Sequence, residues 1–81
     1  MQSTRQYLRN LSKDTIIKLL KLSNLTENEY WLLKYAFAEK RMRENICEKL
    51  HISKTKYHTM MNEALIKVDL TINSLDKVRT L

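Results

Sequence analysis

The chain contains no glycine and no proline in 81 residues, and that absence limits its fold more than any other feature. Glycine supplies the positive-φ positions of two-residue hairpins, and proline presets many other turns. A sheet built on tight hairpins would lack its connections, whereas helix interiors lose nothing when both residues are missing. Leu, Ile, Lys and Glu are plentiful, a composition that suits helices. We therefore expect an all-α fold of four or five helices, each ended by an ordinary residue.

A chain of 81 residues makes a single domain whose small core must use its apolar residues economically. We read 1–12 as a basic N-terminal segment, 13–68 as the helical core and 69–81 as a C-terminal helical extension. The net charge of +6 favours a partner with a negative surface, nucleic acid or anionic membrane. It is carried by the ends: residues 1–26 hold five basic residues against one acid, 27–50 five against five, and 51–81 five against three. The single cysteine excludes an internal disulfide and gives no sign of an oxidising compartment. Apolar runs are too short for a signal peptide or a spanning helix, so a soluble, cytoplasmic protein is expected, with no membrane partner.

Along the chain, Tyr7, Leu8 and Leu11 are spaced for one side of a short helix beside Arg5 and Arg9. That segment reads either as a terminal helix resting on the bundle or as a basic arm on a DNA backbone. Ser12 or Asp14 can cap a helix through Leu22 that turns Ile16, Ile17, Leu19 and Leu20 inward, with Asn24 available to end it in the left-handed conformation. Thr26-Glu27-Asn28-Glu29 is a capping box, and Leu25 before it can staple against Tyr30. The helix it opens is expected to run to about Glu39 with Leu32, Leu33, Ala36 and Phe37 inside. Trp31 and Tyr35 lie at the margin of that stripe, read as core rather than as a platform for nucleobases. Lys40-Arg41-Met42-Arg43 then forms a connector with neither glycine nor a capping side chain. It is either a solvated link or a set of phosphate contacts.

Residues 44–68 carry the functional reading. Ile46, Cys47 and Leu50 share one side of a helix of about two turns. His51 follows at a turn position that calls for φ > 0, at a cost of order 1 kcal/mol relative to glycine, and Ile52 is expected to close the turn as a buried residue. Ser53 is a natural N-cap for a second helix. Its first turn, Lys54-Thr55-Lys56, has none of the acids that favour a helix N-terminus, and a DNA phosphate can supply that negative charge instead. Tyr57, Met60, Met61, Ala64, Leu65 and Val68 are spaced for the core, leaving Lys54, Thr55, His58, Thr59 and Asn62 on an open face. Ile72, Leu75 and Val78 continue the apolar pattern, which reads either as a fold-back or extension of the last helix or as a homodimer contact through 68–78.

From Leu25 to Val68 the sequence resembles the fourth conserved region of bacterial primary-type sigma factors, and the related helix-turn-helix of LuxR-type regulators and phage late-gene activators. The matching residues are Leu25-Thr26-Glu27-x-Glu29, Leu32-Leu33, Ile46-Cys47-Glu48-x-Leu50-x-Ile52-Ser53 and Ala64-Leu65-x-Lys67-Val68, and no gap is needed to place them. The resemblance implies a helix-turn-helix whose second helix enters the DNA major groove with Lys54, Thr55, His58 and Thr59. The chain departs from the family at Lys40, Arg41 and Met42, which stand where glycine, an apolar residue and a hydroxyl cap are usual. Tyr57 replaces a small β-branched residue, and His51 replaces glycine.

Cys47, His51 and His58 make a poor set of metal ligands, since a second cysteine and a nearby acid are both missing. No acid pair, nucleophile constellation or phosphate-binding glycine loop occurs, so neither an enzyme nor a cofactor is expected. The function read from the sequence is a DNA-binding transcriptional regulator, phage or mobile-element in type. Its contacts are expected from Arg41, Arg43, Ser53, Lys54, Thr55, Lys56, His58, Thr59 and Asn62. The competing reading is an adaptor or inhibitor that docks on RNA polymerase through the helix from Glu27 to Glu39 without reading DNA.

Overall fold

Hydroxyl side chains start four of the five helices: Ser3 accepts from Gln6 N, Ser12 from Thr15 N, Thr26 from Glu29 N and Ser53 from Lys56 N. Each bond satisfies one of the amides that a helix N-terminus leaves without an internal partner. The computed structural model describes residues 3–79, with side chains as far as Leu75. Helix α1 spans Thr4–Arg9, α2 Lys13–Leu22, α3 Glu27–Leu33, α4 Arg43–Leu50 and α5 Lys54–Arg79. The fold is all-α, and no strand occurs among the described residues. None of these helices is long and apolar enough to cross a membrane.

One core joins all five helices. Leu8 of α1, Ile16, Leu19 and Leu20 of α2, Leu32 and Leu33 of α3 and Ile46 of α4 meet Tyr57, Met60, Met61, Ala64 and Val68 of α5. Helix α5 is the spine of the bundle, because its apolar stripe recurs at helical spacing over three turns and every other helix leans on it or on α3. Its backbone stays helical beyond Val68 to Arg79, so the extension expected for 69–81 continues the last helix over 69–79, and its last two residues lie outside the described ones. Ile72 packs against the core, Leu75 is exposed, and the side chain of Val78 lies outside the described residues.

Four local expectations need correction. The helix opened by Thr26 does not stay α-helical to Glu39. It widens at Lys34–Ala38 into one π-helical turn, an insertion of one residue that seats Phe37 in the core. Asn24 does not end α2 in the left-handed conformation. Ser23 leaves the helix extended, and its buried hydroxyl donates to Leu19 O at 2.9 Å. Ile52 is only partly buried, since the turn it closes lies at the surface. Trp31 lies outside the core cluster, half-buried among Tyr30, Lys34 and Tyr35.

The two positive-φ residues among those described are Lys40 (φ 53°) and His51 (φ 56°). In a chain without glycine, the two sharpest reversals fall to side chains that tolerate the left-handed region at some cost.

Candidate nucleic-acid interface

Helix α4 ends on His51, whose left-handed backbone lets its amide reach Glu48 O at 3.3 Å while Ile52 N reaches Cys47 O at 3.0 Å. These paired bonds are a Schellman closure with histidine in the glycine position. They redirect the chain within three residues, and Ser53 then caps α5 by accepting from Lys56 N at 3.1 Å. The thiol of Cys47 braces the same turn, 4.0 Å from Ser53 O. The first turn of α5 contains no acid, so its free amides and the positive end of its dipole face solvent beside Lys54 and Lys56.

Lys54, Thr55, Lys56, His58, Thr59 and Asn62 are all exposed. At about 100° per residue, Thr55, Thr59 and Asn62 fall on one line along the helix, Lys54 and His58 flank it on one side and Lys56 on the other. The hydroxyl of Thr59 donates to Thr55 O at 3.1 Å, which leaves its lone pairs and methyl group outward. On the opposite side Tyr57, Met60 and Met61 are buried and fix the rotation of the helix. Burial raises the Tyr57 phenol above its ordinary value of 10.0, with the Arg5 and Arg43 charges opposing the rise. Both arginines thus lie close to the root of the exposed face.

Of the two connector arginines expected as DNA contacts, only Arg43 joins this face. It is the first residue of α4, and its Nη1 lies 3.4 Å from His58 Nε2. A guanidinium can only donate, so in this contact the imidazole nitrogen accepts. Arg41 turns the other way. Its Nε donates to Glu39 at 2.8 Å, its Nη1 donates to Asn45 at 3.0 Å, and its guanidinium lies 5.5 Å from the centre of the Tyr35 ring. The Arg41 hydrogen bond holds the Glu39 carboxyl below its ordinary value.

Arg5, which the sequence offered as part of a basic arm on a DNA backbone, joins this region. Helix α1 docks on α5, with Thr4 Oγ1 donating to Asp69 at 3.2 Å. Arg5 lines a groove of about 420 Å³ whose other wall holds Asn62 and Ile66. The sequence signal for this was present in Leu8, which buries completely, but the partner helix could not be read from spacing alone. The chain matches no protein-family model, and no curated protein or solved structure is significantly similar to it.

Proposed function

We propose that this chain is a double-stranded DNA-binding regulator of transcription that sets residues 54–62 of α5 into the major groove. The observation that carries the reading is the start of α5, residues 54–62, which holds no acid, is hydroxyl-capped and is bordered by Arg43 and His58. A major groove about 12 Å wide admits one helix. Thr55, Thr59 and Asn62 would meet base edges and thymine methyls, and Lys54, Lys56, Arg43 and His58 would meet phosphates. The uncapped amides of α5 would add a further phosphate contact.

The likeness to sigma region four gains support from three positions where the sequence departs from it. Lys40 and His51, which replace glycine, both take the left-handed conformation that glycine serves there. Met42, which replaces a hydroxyl cap, occupies the N-cap position of α4 without a side-chain bond.

Binding to DNA duplexes selected from a random pool tests the proposal. Affinity should fall steeply with salt, because each phosphate contact releases condensed counterions. Lys54→Glu with Lys56→Glu should abolish binding and leave the helical circular dichroism unchanged. Selection that yields no enriched sequence, together with no binding at low salt, would remove this reading.

A further inference from the structure

On the side of α4 away from His58, five side chains from α3, the π-helical turn, the connector after it and α4 form a cluster of alternating rings and cations. Trp31 and Tyr35 lie with ring centres 5.6 Å apart at 33°. Lys34 Nζ stands 4.8 Å over the Trp31 ring, while Arg41 and Lys49 lie 5.5 and 5.7 Å from the centre of Tyr35. Both rings are half-buried and Lys49 is exposed. Glu39 is the one acid paired within the cluster, shared between Lys34 at 3.6 Å and Arg41 at 2.8 Å. Glu27, one turn before Trp31, borders it. Lys49 has no ion pair among the described residues.

We propose that this face binds an acidic segment of a partner protein, with carboxylates on Lys49 and Lys34 and an apolar side chain against the edge of Trp31. The inference stands independently of the DNA-binding reading. Three cations against Glu39 and the bordering Glu27 leave one net positive charge, with Lys49 outside any ion pair among the described residues, and cations already held over rings have given up much of the side-chain freedom that binding would otherwise cost. Tryptophan, tyrosine and arginine are also the residues that concentrate binding energy at protein interfaces.

Nucleic acid fits the cluster less well. Stacking a base needs an open ring face, and here Lys34 lies over Trp31 while two cations crowd Tyr35. Lys34 and Tyr35 both belong to the π-helical turn, the kind of irregularity that recurs at functional sites. By helical position Lys49 and Asn45 face away from Arg43 on α4, so a duplex lying on α5 would leave this cluster free.

Trp31 is the only tryptophan in the chain, so its fluorescence reports on this face alone. The full chain is titrated with a helical peptide bearing Glu at every i, i+4 position of one face and Leu between them. Saturable quenching or a blue shift of Trp31 is expected, weakened about tenfold or more by Lys49→Glu or by Lys34→Glu and unaffected by Lys54→Glu. The same peptide with Lys in place of Glu should give no response. The proposal is overturned by the absence of a saturable change. It is equally overturned by a response that survives both the Lys49 and the Lys34 substitution in variants with intact helical signal. If a DNA duplex moves Trp31 emission and Lys49→Glu abolishes that effect, the face belongs to nucleic acid instead.

Discussion

Lys67 Nζ lies 2.7 Å from Glu29 Oε1, and the same carboxylate oxygen accepts from Thr26 N at 2.9 Å. One side chain therefore closes the capping box of α3 and ties that helix to α5 across 38 positions of sequence. Glu29 is almost wholly buried, while the Lys67 side chain remains 38% exposed. The pair is thus only partly desolvated, and water screens some of its attraction. Lys67→Met should cost about 1–2 kcal/mol, less than the loss of a partner in a fully buried pair. Glu29→Ala should cost about 2–3 kcal/mol, because it also frees the Thr26 amide. Urea unfolding at neutral pH measures both, and equal costs for the two variants would contradict the dual role.

The pH dependence of that pair has a definite sign. Burial alone would raise the Glu29 carboxyl, but the hydrogen bonds from Lys67 and Thr26 outweigh it and hold the group below its ordinary 4.5. In acid the unfolded chain then binds the proton more readily than the folded one, so the pair contributes its full stability above that ordinary value. The contribution falls away as pH drops through the lower folded value. Glu29→Gln should therefore be less stable than the parent at pH 7 and nearly equal to it once the pH lies well below the folded-state value of Glu29. Urea midpoints across that range would show the gap narrowing, and a gap independent of pH would remove the ionic contribution.

The two left-handed residues can be relieved. His51 and Lys40 sit at φ 56° and 53°, where a Cβ costs roughly 1–2 kcal/mol. Glycine removes that cost but returns some through greater freedom of the unfolded chain. His51→Gly and Lys40→Gly should each stabilise by about 0.5–1 kcal/mol, and His51→Val should destabilise by more than either gain. For a domain of this size each kcal/mol moves the melting temperature by roughly 4–8 °C, which a thermal melt resolves.

Helix α4 alone lacks a side-chain cap, since Met42 holds the N-cap position while 76% exposed. Met42→Ser should add about 0.5–1 kcal/mol, because the hydroxyl gains an amide partner while little apolar burial is lost. A rise of a few degrees in the melt checks it.

Local chemistry was legible in the sequence, and distant pairing was not. Ser12, Thr26 and Ser53 announce helix starts because a hydroxyl and an amide three residues on are all the bond requires. His51 was readable because the helix-turn-helix that the sequence resembles has glycine at φ > 0 in that place, a conformation histidine can adopt. The π turn was hidden, because Leu32, Leu33, Ala36 and Phe37 suit an α-helix equally well, and the extra residue is set by how Phe37 packs against the other helices. Ion pairing of Glu29 with Lys67 could not be read from spacing. The opposite directions of Arg41 and Arg43 could not be read from their spacing either, because they follow from the extended backbone of Met42 between them and the start of α4 at Arg43.

That separation gives the sharpest prediction for DNA. Arg43 and His58 lie 3.4 Å apart, close enough for one phosphate to take both, whereas Arg41 is occupied by Glu39, Asn45 and Tyr35. Arg43→Ala should lower the slope of log affinity against log salt by about 1, and Arg41→Ala should leave it unchanged. Arg43→Ala and His58→Ala should weaken binding by less together than the sum of their separate effects, because each deletes half of a shared contact. Fluorescence anisotropy on a selected duplex at several salt concentrations measures all of these. Strict additivity would mean that the two side chains meet different phosphates, and a slope altered by Arg41→Ala would mean that the duplex wraps past α4 to its far side.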